Sequence, residues 1–322
     1  MEIQWFPGHM TKTRRMMEED IKLVDLVVEV VDARIPFSSK NPYLDTLWQR
    51  RPRIIALNKI DLADPDATKA WKAWYEQQGF GVVELDALHN KGLQQIPELC
   101  RALLRDKRER DARRGMQNRP MRLMITGIPN VGKSTVINQI AGKAGAAKTG
   151  NKPGVTRGKQ WIRLKKDLEL LDTPGILWPK FEDPQIGTRI AFIGSIKDEI
   201  LDLYTLAVEL VALLQKEHPQ MLSQRYGLED GELTATPEAV LESIGNRRGH
   251  RMAGGAIDVE RTARMVLDEF RMGKLGRITL EYPPEEVHWR RGPTGRGSDT
   301  HGAGWRKEAP GTPDAGAAGG EV

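Results

Sequence analysis

Gly127-Ile128-Pro129-Asn130-Val131-Gly132-Lys133-Ser134 decides the fold. It fits G-x-x-x-x-G-K-[ST], a loop whose backbone N–H groups cradle phosphates. Met121 to Thr126 before it is an apolar run that reads as a buried strand, and Thr135 to Ile140 after it has helical spacing. The motif thus lies between strand and helix, as a phosphate-binding role requires. Gly127 and Gly132 let the backbone bend so that successive N–H groups point inward. The helix N-terminus adds about half a positive charge at the same spot. Lys133 is placed to reach the β- and γ-phosphates, and Ser134 to hold Mg²⁺. Asn130, Val131, Gly132 and Thr135 complete the phosphate-binding set.

Asn58-Lys59-Ile60-Asp61 closes another apolar run, Arg53 to Leu57. A carboxylate such as that of Asp61 accepts two hydrogen bonds from guanine, from N1–H and the 2-amino group, and adenine lacks that pair. Asn58 can bond the guanine edge at N7 while the Lys59 stem covers the base, with Ile60 between Lys59 and Asp61. Asp86-Ala87-Leu88 follows the strand Val82–Leu85 and fits the loop whose Ala87 N–H meets guanine O6, although a serine is commoner where Asp86 stands. Asp172-Thr173-Pro174-Gly175 ends a hairpin built from Trp161–Leu164 and Leu168–Leu171. Asp172 is expected on Mg²⁺ through water, and the Gly175 N–H on the γ-phosphate. Thr156, in the Gly-, Lys- and Thr-rich stretch Ala144–Gly158, is expected to close over Mg²⁺ when the γ-phosphate is present. The nucleotide implied is GTP, with Mg²⁺.

Strands alternating with helices make an α/β fold, a P-loop domain with a mainly parallel sheet over 1–180. It carries an N-terminal extension, 1–22, where Thr11 can cap a helix. Further helices are expected over Tyr43–Gln49, from Asp64 to about Gln78 with Trp71, Trp74 and Tyr75 as core, and from Leu93 to about Arg114 as one unit. From 181 to 282 the apolar spacing is helical, over Ile186–Ile193, Ile200–Leu214, Pro237–Ile244 and Val259–Met272, which implies a smaller all-helical domain. The tail 283–322 is dense in Gly and Pro and is expected to be disordered.

The chain has 322 residues, 29% of them charged, with a net charge of +5. That balance favours a polyanionic partner only weakly. No apolar run approaches the roughly 20 residues of a membrane span, and the start has no signal-peptide core. Cys100 stands alone, which excludes an intrachain disulfide and a cysteine zinc site and fits a reducing cytoplasm.

Most GTPases carry the phosphate loop first and N-K-x-D later; here the order is reversed. The chain resembles the circularly permuted GTPases, and within them the ribosome biogenesis GTPase A branch. The residues that carry the resemblance are Trp5-Phe6-Pro7-Gly8-His9-Met10, Val31-Asp32-Ala33-Arg34-Ile35-Pro36, the Gly127–Ser134 loop, Asn151-Lys152-Pro153-Gly154-Val155-Thr156, and Gly254-Gly255 followed by Asp258. It covers about residues 1 to 282. It implies GTP hydrolysis coupled to a late step of large (50S) ribosomal subunit assembly, with the subunit precursor and its rRNA as partners, no membrane or DNA, and a monomer off the ribosome.

Ile176 stands where many GTPases place a water-orienting glutamine. The resemblance makes His9 the first candidate for that task, with Arg157 or a ribosomal group second; Lys133 and Thr156 complete the catalytic set. Asn130 either coordinates a potassium ion, as in related GTPases, or simply shapes its loop. Arg247, Arg248, Arg251, Arg261, Arg264 and Arg271 are candidates for RNA phosphates, with Val259, Ala263, Val266, Leu267 and Phe270 as the buried face of their helix. Trp289-Arg290-Arg291, Arg296 and Trp305-Arg306-Lys307 offer looser contacts. The alternatives are a GTPase serving another RNA or protein partner, and an RNA-binding scaffold with incidental turnover.

Overall fold

β1 (Leu26–Asp32) buries all 7 of its residues, and strands covered on both faces need parallel neighbours with helices across them. The computed structural model describes residues 18–48, 51–116, 119–142, 160–165, 167–172 and 183–284. After β1 come α1 (Pro42–Leu47), β2 (Arg53–Asn58), α2 (Pro65–Gln77) and β3 (Gly81–Glu84). Next are α3 (Gln95–Leu103), α4 (Arg105–Arg113), β4 (Met121–Thr126), α5 (Lys133–Ala141), β5 (Gln160–Lys165) and β6 (Leu168–Asp172). The rest is helical: α6 (Pro184–Phe192), a 3-10 turn (Asp198–Ile200), α7 (Leu203–Glu217), α8 (Pro219–Tyr226), α9 (Asp230–Leu233), α10 (Pro237–Arg247) and α11 (Val259–Arg271).

The six-stranded sheet has the order β3-β2-β1-β4-β6-β5, and only β5, paired to β6, runs antiparallel. From β1 the chain moves outward to β2 and β3, then crosses back to lay β4 and β6 on the other side. Ligands of such sheets bind where the strand order reverses, beyond the carboxyl ends of the strands. Register brings the sequence motifs to that edge. Asp32 of β1 lies beside Asn58 of β2, and Ile125 of β4 lies beside Asp172 of β6.

Local chemistry explains most boundaries. The Asp64 carboxylate accepts from the N–H groups of Asp66 and Ala67, and Pro65 opens α2. Trp71 and Tyr75 are buried beneath that helix, with Trp74 edge-on to both. The single helix expected over Leu93–Arg114 is two, because the chain bends at the buried Leu104 and α4 beyond it has no buried residue. Cys100 is buried on α3, and burial pushes its thiol up to about 12, so it stays protonated and unreactive. α8 and α9 were not anticipated; they begin at Pro219 and after Glu229, in polar sequence with little apolar period.

Residues Met1–Pro283 form one unit and Pro284–Val322 a second, which apart from Pro284 lies outside the described residues. Within the first, one hydrophobic cluster runs from Leu26 and Ile125 of the sheet to Phe192, Leu210 and Phe270 of the helices. After α11 the chain returns as a strap along the β2–α2 connection and the loop after β1. Ile278 N–H donates to Leu62 O at 3.0 Å, and Leu280 N–H to Arg34 O at 2.8 Å. The Trp71 indole donates to Glu281 O, while the Glu281 carboxylate accepts from Phe37 N–H and from Ser38. Arg271, expected to face RNA, instead grips the end of α6: it donates to Ala191 O and Phe192 O and pairs with Asp198. The last carbonyls of a helix carry partial negative charge and attract a cation.

Phe270 anchors α11, with its ring edge-on to Phe192 and under the Arg34 guanidinium. Phe270→Ala is expected to destabilise the fold by about 3–5 kcal/mol. The urea midpoint should fall with little change in slope.

Candidate functional site: a guanine-nucleotide pocket

The loop between β4 and α5 has the left-handed residues that a phosphate cradle needs. Gly132 sits at φ +93°, and a Cβ there would lie 2.3 Å from the Asn58 amide nitrogen. Position 132 therefore needs glycine both for its conformation and for the neighbour pressed against it. Asn130 holds φ +62°, a strained region for a residue with a side chain. Its backbone carbonyl accepts from Lys59 Nζ at 2.7 Å, and its side-chain nitrogen donates to Gly194 O at 2.5 Å. Lys133 is buried at the start of α5, followed by the half-buried Ser134 and Thr135.

Asn58 ends β2 and is buried. Its Nδ2 donates to Val131 O at 2.8 Å and its Oδ1 accepts from Ala87 N–H at 3.1 Å. The amide expected on guanine N7 and the N–H expected on O6 thus meet each other, and the three loops are tied at one point. Lys59 turns left-handed at φ +63° and its stem runs back over the phosphate loop. Ile60 and Asp61 follow, both half-buried. Asp86 is buried and held by His89, accepting from its N–H at 3.0 Å and lying 2.8 Å from its Nδ1. Ligand atoms of Asp61, Asp86 and His89 lie within 4.8 Å of one another. His89 was not singled out in the sequence; its place three residues after Asp86 in a tight turn is the signal for it.

A second residue missed as part of the site is Asp32. It is fully buried and contacts Lys59 Nζ at 3.0 Å and the Arg34 guanidinium at 2.8 and 2.9 Å. Burial alone would raise the Asp32 carboxyl, but Arg34 and Lys59 outweigh it and hold it well below the usual carboxylate range. Arg34 in turn donates to Phe270 O and Arg271 O at the end of α11. The available signal was a carboxylate closing a strand of valines.

The site's remaining candidates divide. His9, Thr156, Arg157, Gly175 and Ile176 lie outside the described residues. β6 ends at Asp172, beside the strand that leads into the phosphate loop. The Ser134 hydroxyl is the kind of hard oxygen donor that Mg²⁺ prefers.

The sequence model of a family described as "50S ribosome-binding GTPase" matches residues 122–229. That span begins at β4 and leaves Asn58–Asp61 ahead of it. The ribosome biogenesis GTPase A of Priestia megaterium is 48% identical over 289 residues, covering 88% of this chain and 98% of that protein. The chain belongs to the ribosome biogenesis GTPase A family. The Bacillus cereus member is 46% identical over 288 residues, covering 88% of this chain and 95% of its own. Among solved structures, GNP-bound YlqF from T. maritima matches at 28% identity and a TM-score of 0.58, covering 85% of this chain and 100% of that one. As a member of this family the chain is a GTPase, binding GTP and hydrolysing it to GDP and phosphate.

Two outcomes follow from these contacts. Asp32→Asn leaves Arg34 and Lys59 uncompensated and is expected to cost about 3–5 kcal/mol near neutral pH. The folded Asp32 carboxyl lies below its unfolded value of about 4, so its contribution is complete above that pH and is lost as pH falls through the folded value. Urea midpoints taken from neutral to acid pH should therefore fall less steeply in the variant; equal acid slopes would count against the ion pair. Asp61→Asn removes an acceptor from guanine and matches the 2-oxo group of xanthine. It is expected to weaken GTP binding by about a hundredfold or more and to gain xanthosine triphosphate, as read by competition with a fluorescent nucleotide.

Proposed function

We propose that this GTPase acts in a late step of large (50S) ribosomal subunit maturation, contacting rRNA through its helical segment 181–282 and leaving after hydrolysis. The observation that carries the reading is family membership at 46–48% identity over 88% of the chain, in relatives named for ribosome biogenesis. The surface of the helical segment supports it. Arg261 and Arg264 are exposed on α11, opposite Ala263, Val266, Leu267 and Phe270. Arg248 and Arg251 are exposed nearby, while Arg247 is paired with Glu232. Phosphate contacts of this kind position a protein on RNA by shape and charge.

In the hydrolytic step the phosphate loop and Lys133 stabilise charge on the γ-phosphate, and His9 orients the attacking water in place of Ile176. Ser134, Asp172 and Thr156 would hold Mg²⁺, which would supply charge neutralisation at the phosphate oxygens. Potassium is proposed at Asn130: its nitrogen is engaged by Gly194 O, so its carbonyl oxygen is the atom suited to a hard cation. The segment around Asp172–Gly175 leads into the helical domain and carries the nucleotide state to it. The chain works as a cytoplasmic monomer off the ribosome. Among the described residues no helix is long and apolar enough to cross a membrane.

Co-sedimentation with 50S precursors tests the reading. Binding is expected with a non-hydrolysable GTP analogue and to be lost with GDP. Arg261→Glu with Arg264→Glu should weaken it and lower the salt dependence by about one unit of slope per lost phosphate contact. Equal sedimentation with both nucleotides would defeat the cycle proposed here.

A further inference from the structure

Both loops that form the pocket are held from outside by the segment after β6, at positions unrelated to its RNA face. Ser195, fully buried in the turn after α6, donates its hydroxyl to Pro129 O at 2.5 Å. The adjacent Gly194 O accepts from the Asn130 side chain, so two neighbouring carbonyl and hydroxyl groups grip the tip of the phosphate loop. That turn is itself fixed. Gly194 N–H donates to Ala191 O, Ser195 N–H donates to Ile190 O, and Arg271 closes the end of α6 beneath them. On the other side of the pocket, the strap residue Arg277 donates from Nη2 to Ile60 O at 2.8 Å and from Nε to Ala63 O at 2.9 Å. Ile60 lies between Lys59 and Asp61, so Arg277 pins the peptide from which the base-reading carboxylate projects.

We propose that Ser195 and Arg277 are positioning residues of the nucleotide site: Ser195 sets the phosphate loop at Pro129, and Arg277 sets the guanine loop at Ile60. Neither has a role in the fold of the sheet, whose strands pair without them. Each acts on a strained or left-handed neighbour, Asn130 in one loop and Lys59 in the other, where a small backbone relaxation changes which groups face the ligand. Because the same segment carries the exposed arginines of α11, whatever displaces it alters nucleotide affinity, and nucleotide alters its hold on that segment by the same factor.

The test is titration of the full chain with N-methylanthraniloyl-GDP, with thermal unfolding recorded for every variant. Ser195→Ala and Arg277→Gln are each expected to raise the Kd about three- to tenfold at temperatures well below unfolding. Ser195→Thr keeps the hydroxyl and should restore binding; Arg277→Lys should restore it in part. Variants that melt earlier yet bind GDP like the parent would overturn the proposal, since that is what support of the fold alone predicts. Arg277 is exposed and its substitution is expected to fold, so it decides the matter if Ser195→Ala does not. A parent chain that binds no guanine nucleotide would sink the GTPase site and this inference together.

Discussion

A single buried amide, that of Asn58, joins the two halves of the pocket. Its partners lie 73 residues ahead, at Val131, and 29 residues ahead, at Ala87. Taking away either would leave a buried polar group without a partner, at a cost of about 1–3 kcal/mol. The close approach also dictates glycine at 132, where any side chain would collide with Asn58. The loops after β2, β3 and β4 are therefore tied to one another at this amide. The order in which the chain supplies its parts is immaterial so long as β2, β3 and β4 end on the same edge of the sheet.

Charge reinforces that junction from below. Asp32, Arg34 and Lys59 are placed where burial would penalise any one of them alone, and they persist because each is paired. Lys59 carries the network to the phosphate loop through Asn130 O, and Arg34 carries it to the last carbonyls of α11. A helix end tolerates a cation well, so the same guanidinium serves the strand and the helix. The sheet and the helices that follow it thus share polar anchors as well as an apolar core.

Much of this was legible because it is local. β1 follows from seven residues that include five apolar ones, and the phosphate loop from eight residues whose spacing has one physical purpose. Leu93–Arg114 was misjudged because helix propensity does not register that Leu104 is drawn into the core while the charged residues beyond it are not. Arg271 was placed outside because an apolar wheel counts only hydrophobic positions, and the carbonyls that attract it belong to a helix 79 residues earlier. The Asn58 contacts have no local trace at all. They depend on strand order, which no spacing within a single motif encodes.

The strap has a consequence for how the protein is made. Asn58–Asp61 leaves the ribosome early in synthesis, yet Ile60, Leu62 and Ala63 receive their outer hydrogen bonds from Arg277 and Ile278, more than two hundred residues later. N-terminal segments of nascent chains fold first, as their own contacts permit. A chain still in translation can pair β1 with β2, but its base-reading loop stays unbraced until the segment after α11 has emerged. A nascent chain halted before that segment lacks the hydrogen bonds that Arg277 and Ile278 give to this loop.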